Sequence, residues 1–191
     1  MLLNAYCQGI FPMAIPEENW AVYFYDPDPR TIIPLDKFHV SRSLKKTLRQ
    51  AKFEVRYSTQ FRRVMELCAE PAPKRESTWI SSDFIDVYSQ LHRYGHAQSV
   101  ETYLDGELVG GVYGVNVRGL FAGESMFSRV TDASKVALAT LLEHLRGCGY
   151  ALFDVQFTTP HLQTFGATEI PRETYKKRLA EALEVEPQPF V

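Results

Sequence analysis

An Asp-Gly turn between two runs of β-forming residues is the feature that most narrows what this 191-residue chain can fold into. Ser99-Val100-Glu101-Thr102-Tyr103-Leu104 leads into Asp105-Gly106, and Glu107 to Val115 leads out. Asp-Gly tolerates the positive φ angles of a tight hairpin turn, so the flanking runs pair antiparallel. Gly119 to Phe121 adds a third run and makes the hairpin a meander. Thr131 or Asp132 then opens a helix with Val136, Leu138, Leu141, Leu142 and Leu145 as its apolar positions, ended by Gly147 and Gly149, and Ala151 to Phe157 reads as a buried strand. A meander followed by helix and strand predicts an α/β (α+β) domain, one mixed sheet with flanking helices.

The remaining segments fit around that sheet. From Ser41, Leu44, Leu48 and Ala51 recur at helical spacing; Phe53 to Tyr57 alternates like a half-buried strand; Phe61 to Cys68 is helix-like. Pro71-Ala72-Pro73 marks a loop, Ser82 or Asp83 caps a helix running to about Tyr94, and Pro171 starts another over Arg172 to Leu183. The first thirty residues differ, with Pro12, Pro16, Pro27 and Pro29 among Phe11, Trp20, Tyr23, Phe24 and Tyr25. Regular structure is not expected there; the expectation is a small lobe over 1–31 packed on a main domain over 32–191, with rings available for stacking.

With 45% hydrophobic and 23% charged residues the chain is neither a disordered segment nor a coiled coil. Its net charge of −2 excludes a globally basic binder, so nucleic acid would require a local patch. One stretch qualifies: from Lys37 to Phe53 there are six basic residues and no acidic one, and Arg42, Lys45, Lys46 and Arg49 fall at i, i+3, i+4 and i+7 of the helix that begins at Ser41. Such a stripe is either a solvated face or a surface for phosphates. Cys7, Cys68 and Cys148 are widely spaced and lack histidines at ligand spacing, so no metal site and no disulfide framework are expected. No apolar run has membrane-spanning length and the first residues lack signal-peptide character, so a cytoplasmic protein that does not enter a membrane is expected.

Two sites carry polar groups where apolar ones belong. Glu124 follows an apolar strand within Gly123-Glu124-Ser125-Met126-Phe127-Ser128 and needs either a partner, such as the backbone or Arg129, or a chemical task. Asp154 and Gln156 sit two apart in the buried strand, so strict alternation sends both to one face, as a core hydrogen-bond network or as a working pair in which Asp154 orients the Gln156 amide. The meander, helix and strand suggest an acetyltransferase-like core, yet Arg129-Val130-Thr131-Asp132-Ala133-Ser134 has no glycine for close approach to a pyrophosphate, and Asp132 would repel one. Coenzyme A is therefore not expected, and no cofactor is assigned. His39, His92, His96, His144 and His161 are scattered and form no recognisable triad.

Ten ordered blocks resemble those of the bacterial leucyl/phenylalanyl-tRNA–protein transferase family. They are Gly9-Ile10-Phe11-Pro12, Asp26-Pro27-Asp28-Pro29-Arg30, Phe38-His39-Val40-Ser41-Arg42-Ser43-Leu44, Thr78-Trp79-Ile80, Gly95 to Glu101, Gly110 to Val115, Gly123 to Ser128, Asp132-Ala133-Ser134-Lys135, Asp154-Val155-Gln156 and Glu169-Ile170-Pro171-Arg172. The resemblance implies an acetyltransferase-like (GNAT) fold that uses aminoacyl-tRNA in place of acetyl-CoA. It implies movement of Leu, Phe or sometimes Met from Leu-tRNA or Phe-tRNA to the N-terminal Arg or Lys of an acceptor protein, marking it for N-end rule degradation. Gln156 would polarise the attacking α-amine, Asp154 would hold the Gln156 amide, and Glu124 would join them near the terminal ribose. Val112, Met126, Leu138, Leu141, Leu145 and Phe153 correspond to the aminoacyl pocket, Trp79 and Met13 to the adenosine contacts, and Arg42, Lys45, Lys46 and Arg49 to the tRNA backbone contacts. Two departures accompany the likeness: an abbreviated N-terminal lobe, and Met13 where a tryptophan is frequent. A monomer is expected. The competing readings are the same chemistry on Asp or Glu N-termini, a small-molecule N-acetyltransferase, and a non-catalytic RNA-binding module.

Overall fold

A seven-stranded mixed sheet organises the chain. The structure, a computed structural model, describes residues 2–71 and 77–191; the loop expected at Pro71-Ala72-Pro73 therefore lies, past Pro71, outside the described residues. In chain order the elements are α1 (Leu2–Cys7), β1 (Phe11–Ile15), β2 (Ala21–Tyr25), β3 (Arg30–Ile32), α2 (Arg42–Arg49), β4 (Glu54–Tyr57), α3 (Phe61–Ala69), α4 (Ser82–Arg93), β5 (Ala97–Leu104), β6 (Glu107–Val117), β7 (Leu120–Ser128), α5 (Ala133–Cys148), β8 (Leu152–Gln156), α6 (Pro160–Gln163), β9 (Thr168–Ile170) and α7 (Arg172–Leu183). The sheet runs β4-β5-β6-β7-β8-β3-β9, antiparallel throughout except for the parallel pair β7 and β8. The mixed α+β layout expected from the meander is the one observed, and Asp105 and Gly106 hold the positive φ angles, 52° and 82°, that the turn demands.

Alternation along the strands feeds two cores. Tyr113, Val115, Leu120, Ala122 and Leu152 face α1, α3, α4 and α7, whereas Val112, Phe121, Phe153 and Val155 face α2, α5 and α6. Helix α5 lies against β6 closely enough that a Cβ on Gly110 would stand 2.6 Å from the Ala133 Cβ, so that glycine sets how near the helix can come. Buried Glu101 on β5 accepts from the main-chain N–H groups of Thr59 and Gln60 and from the Ser99 hydroxyl, placing its carboxylate at the start of α3.

The first thirty residues correct the expectation of irregular structure. They hold α1 and an antiparallel hairpin, β1 with β2, paired from Phe11↔Tyr25 to Ile15↔Ala21. A two-stranded ribbon accommodates Pro12 because each strand has an edge that needs no donor. Asn19 and Trp20, at φ 54° and 61°, turn the chain back, and Val22-Tyr23-Phe24-Tyr25 supplies the β-formers. Tyr6, Phe11 and Ala14 share one core with α3, α4 and α7, so this lobe is packed on the sheet. Residues 31 and 32, where the lobe was expected to end, both lie within β3, a strand of the large sheet.

Candidate active site

The parallel pair β7 and β8 stays in register only from Leu120↔Leu152 to Ala122↔Asp154, and beyond that the strands part. A cavity of about 200 Å³ occupies the split. It passes between the two layers: Phe11, Pro12, Met13 and Trp79 line it from the side of the N-terminal lobe, and Val112, Leu138, Phe153, Val155 and Leu162 from the side of α5. Glu124, Ser125, Met126 and Gln156 border the split itself.

Glu124 reaches the cavity through a β-bulge. On the β6–β7 ladder Tyr113 faces Ser125 and Gly114 faces Gly123, which leaves Glu124 as the extra residue. Bulges re-aim side chains in this way. Gly114 makes room, since a Cβ there would lie 2.2 Å from the Ala122 carbonyl oxygen. The partner of Glu124 is neither Arg129, which pairs with Glu70 at 2.8 Å, nor the backbone. The Tyr6 hydroxyl donates to Glu124 Oε1 at 2.6 Å and lies 2.6 Å from the Tyr88 hydroxyl, which therefore donates to Tyr6. Burial, with a smaller contribution from the Asp154 charge, pushes the Glu124 carboxyl up to about 8 despite opposing influences from Tyr6 and Arg30.

At Gln156 the strand ends abruptly. Its φ of 60° is left-handed, and Phe157 N–H donates to the Val155 carbonyl at 2.7 Å across it, a γ-turn. Asp154, fully buried, accepts the Gln156 main-chain N–H on Oδ1 at 3.0 Å. This corrects the expected contact: Asp154 holds the backbone of Gln156, and not its side-chain carboxamide. The γ-turn explains the difference, because the two residues no longer stand as plain alternate positions of one strand. The carboxamide borders the cavity, and its Nε2, buried, has no hydrogen-bond partner among the described residues.

Asp154 is itself clamped. Arg30 donates from Nε to Oδ1 at 2.9 Å and from Nη2 to Oδ2 at 2.6 Å, and the Tyr175 hydroxyl donates to Oδ2 at 2.9 Å. Burial alone would lower the Arg30 pKa, but the hydrogen bonds and charge of Asp154 outweigh it and raise it. Burial, then the Asp154 charge, raises the Tyr175 phenol.

A family model described as leucyl/phenylalanyl-tRNA protein transferase matches residues 32–180, and the model of that family's N-terminal domain matches residues 1–28. The chain belongs to the leucyl/phenylalanyl-tRNA–protein transferase family. A leucyl/phenylalanyl-tRNA–protein transferase of Herpetosiphon aurantiacus is 57% identical over 96% of this chain and 93% of its own length, and one from Gloeobacter violaceus is 54% identical over 96% and 92%. Among solved structures, L-PGS from Bacillus licheniformis aligns over 84% of this chain and 60% of its own at 14% identity and a TM-score of 0.48.

The residues that likeness to the transferase family singled out fall into a cavity group, an exposed group on α2 and three buried residues outside the lining. Glu124, Gln156, Trp79, Met13, Val112, Met126, Leu138 and Phe153 all meet at the cavity. Leu141 and Leu145 do not line it: they continue the same stripe of α5 but, at 1.5 Å per residue, lie about 4.5 and 10.5 Å farther along the helix and pack in the core. Asp154 lies behind the lining. On α2, capped by Ser41 accepting from Leu44 N–H at 3.2 Å, Arg42, Lys45, Lys46 and Arg49 are exposed and form no ion pair among the described residues. Helix α2 rests near the start of α5, where Thr47 donates to Asp132 at 3.3 Å. Sequence reasoning gave no role to Pro12, Thr159 or Leu162 and left Phe11 as one of several rings available for stacking; the Thr159-Pro160 pair, a capping residue before a proline, was the available signal for α6. It also missed Arg30, a charge inside the apolar run Arg30-Thr31-Ile32-Ile33 and so a natural counterpart to Asp154. Among the described residues no helix is long and apolar enough to cross a membrane.

Proposed function

We propose that this enzyme moves Leu or Phe, and also Met, from the 3′ end of an aminoacyl-tRNA to the α-amine of an acceptor protein beginning with Arg or Lys, creating an N-end rule degradation signal. The reading is supported above all by the unpartnered Gln156 carboxamide at an apolar cavity of about 200 Å³ that also holds Trp79, Met13 and Glu124. A buried polar group without a partner is costly, and a substrate that supplies one recovers that cost.

In this mechanism Val112, Met126, Leu138 and Phe153 hold the apolar aminoacyl side chain, and Trp79 stacks on the terminal adenine with Met13 packed nearby. The Gln156 carboxamide oxygen accepts from an N–H of the acceptor α-amine, which turns the amine's lone pair toward the ester carbonyl, and the unpartnered Nε2 is left to donate to a substrate oxygen. Attack forms a C–N bond and a tetrahedral intermediate; the C–O bond to the ribose then breaks, the new amide leaves on the acceptor, and the proton lost by the amine passes to the ribose oxygen. The ester is already activated, so alignment supplies much of the rate. Glu124, held near neutrality, suits the passage of that proton. It is the one acidic or basic side chain among the described lining residues and carries its proton below about pH 8, so the choice of an Arg- or Lys-initiated acceptor rests on the family likeness and not on a fixed charge in the cavity. The exposed cations of α2 carry the tRNA backbone. We assign the reaction to a monomer in the cytoplasm.

The test crosses tRNAs charged with labelled Leu, Phe and Met against peptides beginning with Arg, Lys, Asp and Glu. Transfer of Leu and Phe to Arg and Lys peptides is expected. Transfer to Asp or Glu peptides instead would overturn the acceptor assignment, and acetylation from acetyl-CoA with no transfer from tRNA would overturn the whole reading.

A further inference from the structure

We propose that Arg30 is a positioning residue for this reaction, fixing the Asp154 carboxylate so that it holds the Gln156 backbone in the turn that directs its carboxamide to the cavity. The inference rests on the function proposed above for Gln156.

The guanidinium has no freedom left. It is 1% exposed, its three nitrogens donate to Asp154 Oδ1, Asp154 Oδ2 and the Gly9 carbonyl, and its central carbon lies 4.7 Å from the Phe11 ring centre and 4.5 Å from that of Tyr175. The oxygen that accepts from Arg30 Nε is the same Oδ1 that accepts from Gln156 N–H. A single planar fork thus sets the plane of the carboxylate, and the carboxylate sets the position of the next-but-one residue.

A non-glycine residue at φ 60° persists only where its surroundings impose it. Here the main-chain bond to Asp154 is what imposes it. A buried ion pair is by itself a weak source of stability, so the coupling to a strained cavity residue assigns Arg30 more than a structural part. Lysine would keep the charge and lose the fork.

Steady-state transfer from Phe-tRNA to an Arg-initiated peptide, using the full chain, tests this with Arg30→Lys. The expected result is a kcat lower by about tenfold or more with KM for both substrates within about twofold of wild type. Glu101→Gln, which weakens a buried carboxylate at the start of α3, serves as the structural control: it lowers the unfolding temperature and leaves kcat per folded molecule unchanged. In a Gln156→Ala background Arg30→Lys is expected to add no further loss. A kcat for Arg30→Lys equal to that of wild type, or a loss undiminished in the Gln156→Ala background, would overturn the proposal. If Arg30→Lys does not fold, Asp154→Asn breaks the fork from the other side, since its amide nitrogen cannot accept from Arg30 while its oxygen can still accept from Gln156 N–H; kcat falls with KM unchanged, and an unaltered kcat overturns the proposal. Failure of the wild-type protein to use charged tRNA would instead remove the functional reading, while active wild type with unimpaired Arg30→Lys and inactive Gln156→Ala removes only the role of Arg30.

Discussion

The Tyr6 hydroxyl, carried by the first helix, donates to Glu124 at 2.6 Å, so the N-terminal lobe supplies the hydrogen bond to the acidic group in the cavity lining. That bond favours the charged carboxylate, yet burial prevails and keeps the proton on until about pH 8.

The consequence for stability has a definite sign. The unfolded carboxyl releases its proton near 4.5 and the folded one near 8, so between those values the native state binds more protons. The contribution of Glu124 is fully present below about 4.5 and is lost as pH rises through 8. Glu124→Gln is expected to flatten that slope and to raise stability at pH 8 by about 1–3 kcal/mol, read by urea unfolding across pH 5 to 8.5. An unchanged slope refutes the assignment.

Gln156→Ala should lower transfer of labelled Phe to an Arg-initiated peptide by roughly 10²–10³-fold and leave tRNA affinity nearly intact. Measured turnover at the wild-type level would remove the role given to the carboxamide.

Neutralising Arg42 together with Lys46, as Arg42→Gln and Lys46→Gln, is expected to weaken tRNA binding and to make its dependence on salt shallower, by roughly 0.7–0.9 in log–log slope for each phosphate that is no longer neutralised. Filter binding at several salt concentrations reads this. Equal slopes for variant and wild type would exclude α2 as the tRNA-binding surface.

Leu138 and Leu141 belong to one helix face but to different environments, and alanine should separate them. Leu138→Ala enlarges the cavity and is expected to shift relative kcat/KM toward Phe over Leu. Leu141→Ala leaves the ratio alone and costs about 2–5 kcal/mol of stability through a core void. A changed ratio in Leu141→Ala would place the pocket wall differently from the lining described.

Legibility in the sequence followed the reach of the interactions. The hairpin at Asp105-Gly106, the helix ended by Gly149 and the apolar strand around Asp154 are local patterns, and all three form, although α5 runs through Gly147 and the strand leaves extended geometry at Gln156. The basic stripe of α2 was equally plain, because four cations at helical spacing need no tertiary context. Glu124 and Gln156 announced themselves as polar residues in apolar surroundings. What could not be read was the part set by distant segments: the split of β7 from β8, the pairing of Arg30 with Asp154 across 124 positions of sequence, and the reach of Tyr6 to Glu124 across 118. The β1–β2 hairpin was missed because its prolines mask a pairing that a two-stranded ribbon tolerates.

The bulge at Glu124 also reverses the order of sides along β7. Leu120 and Ala122 lie toward the first core, and so does Phe127, although its number has the opposite parity. Deleting a single amino acid at the bulge would close the ladder into a regular one, with Met126 still opposite Val112 and Phe127 still opposite Gly111, while the acid lost its projection into the gap. The packing beyond the bulge therefore does not need the additional residue; the gap does, and its chemistry depends on an arithmetic of spacing as much as on the identity of the acid.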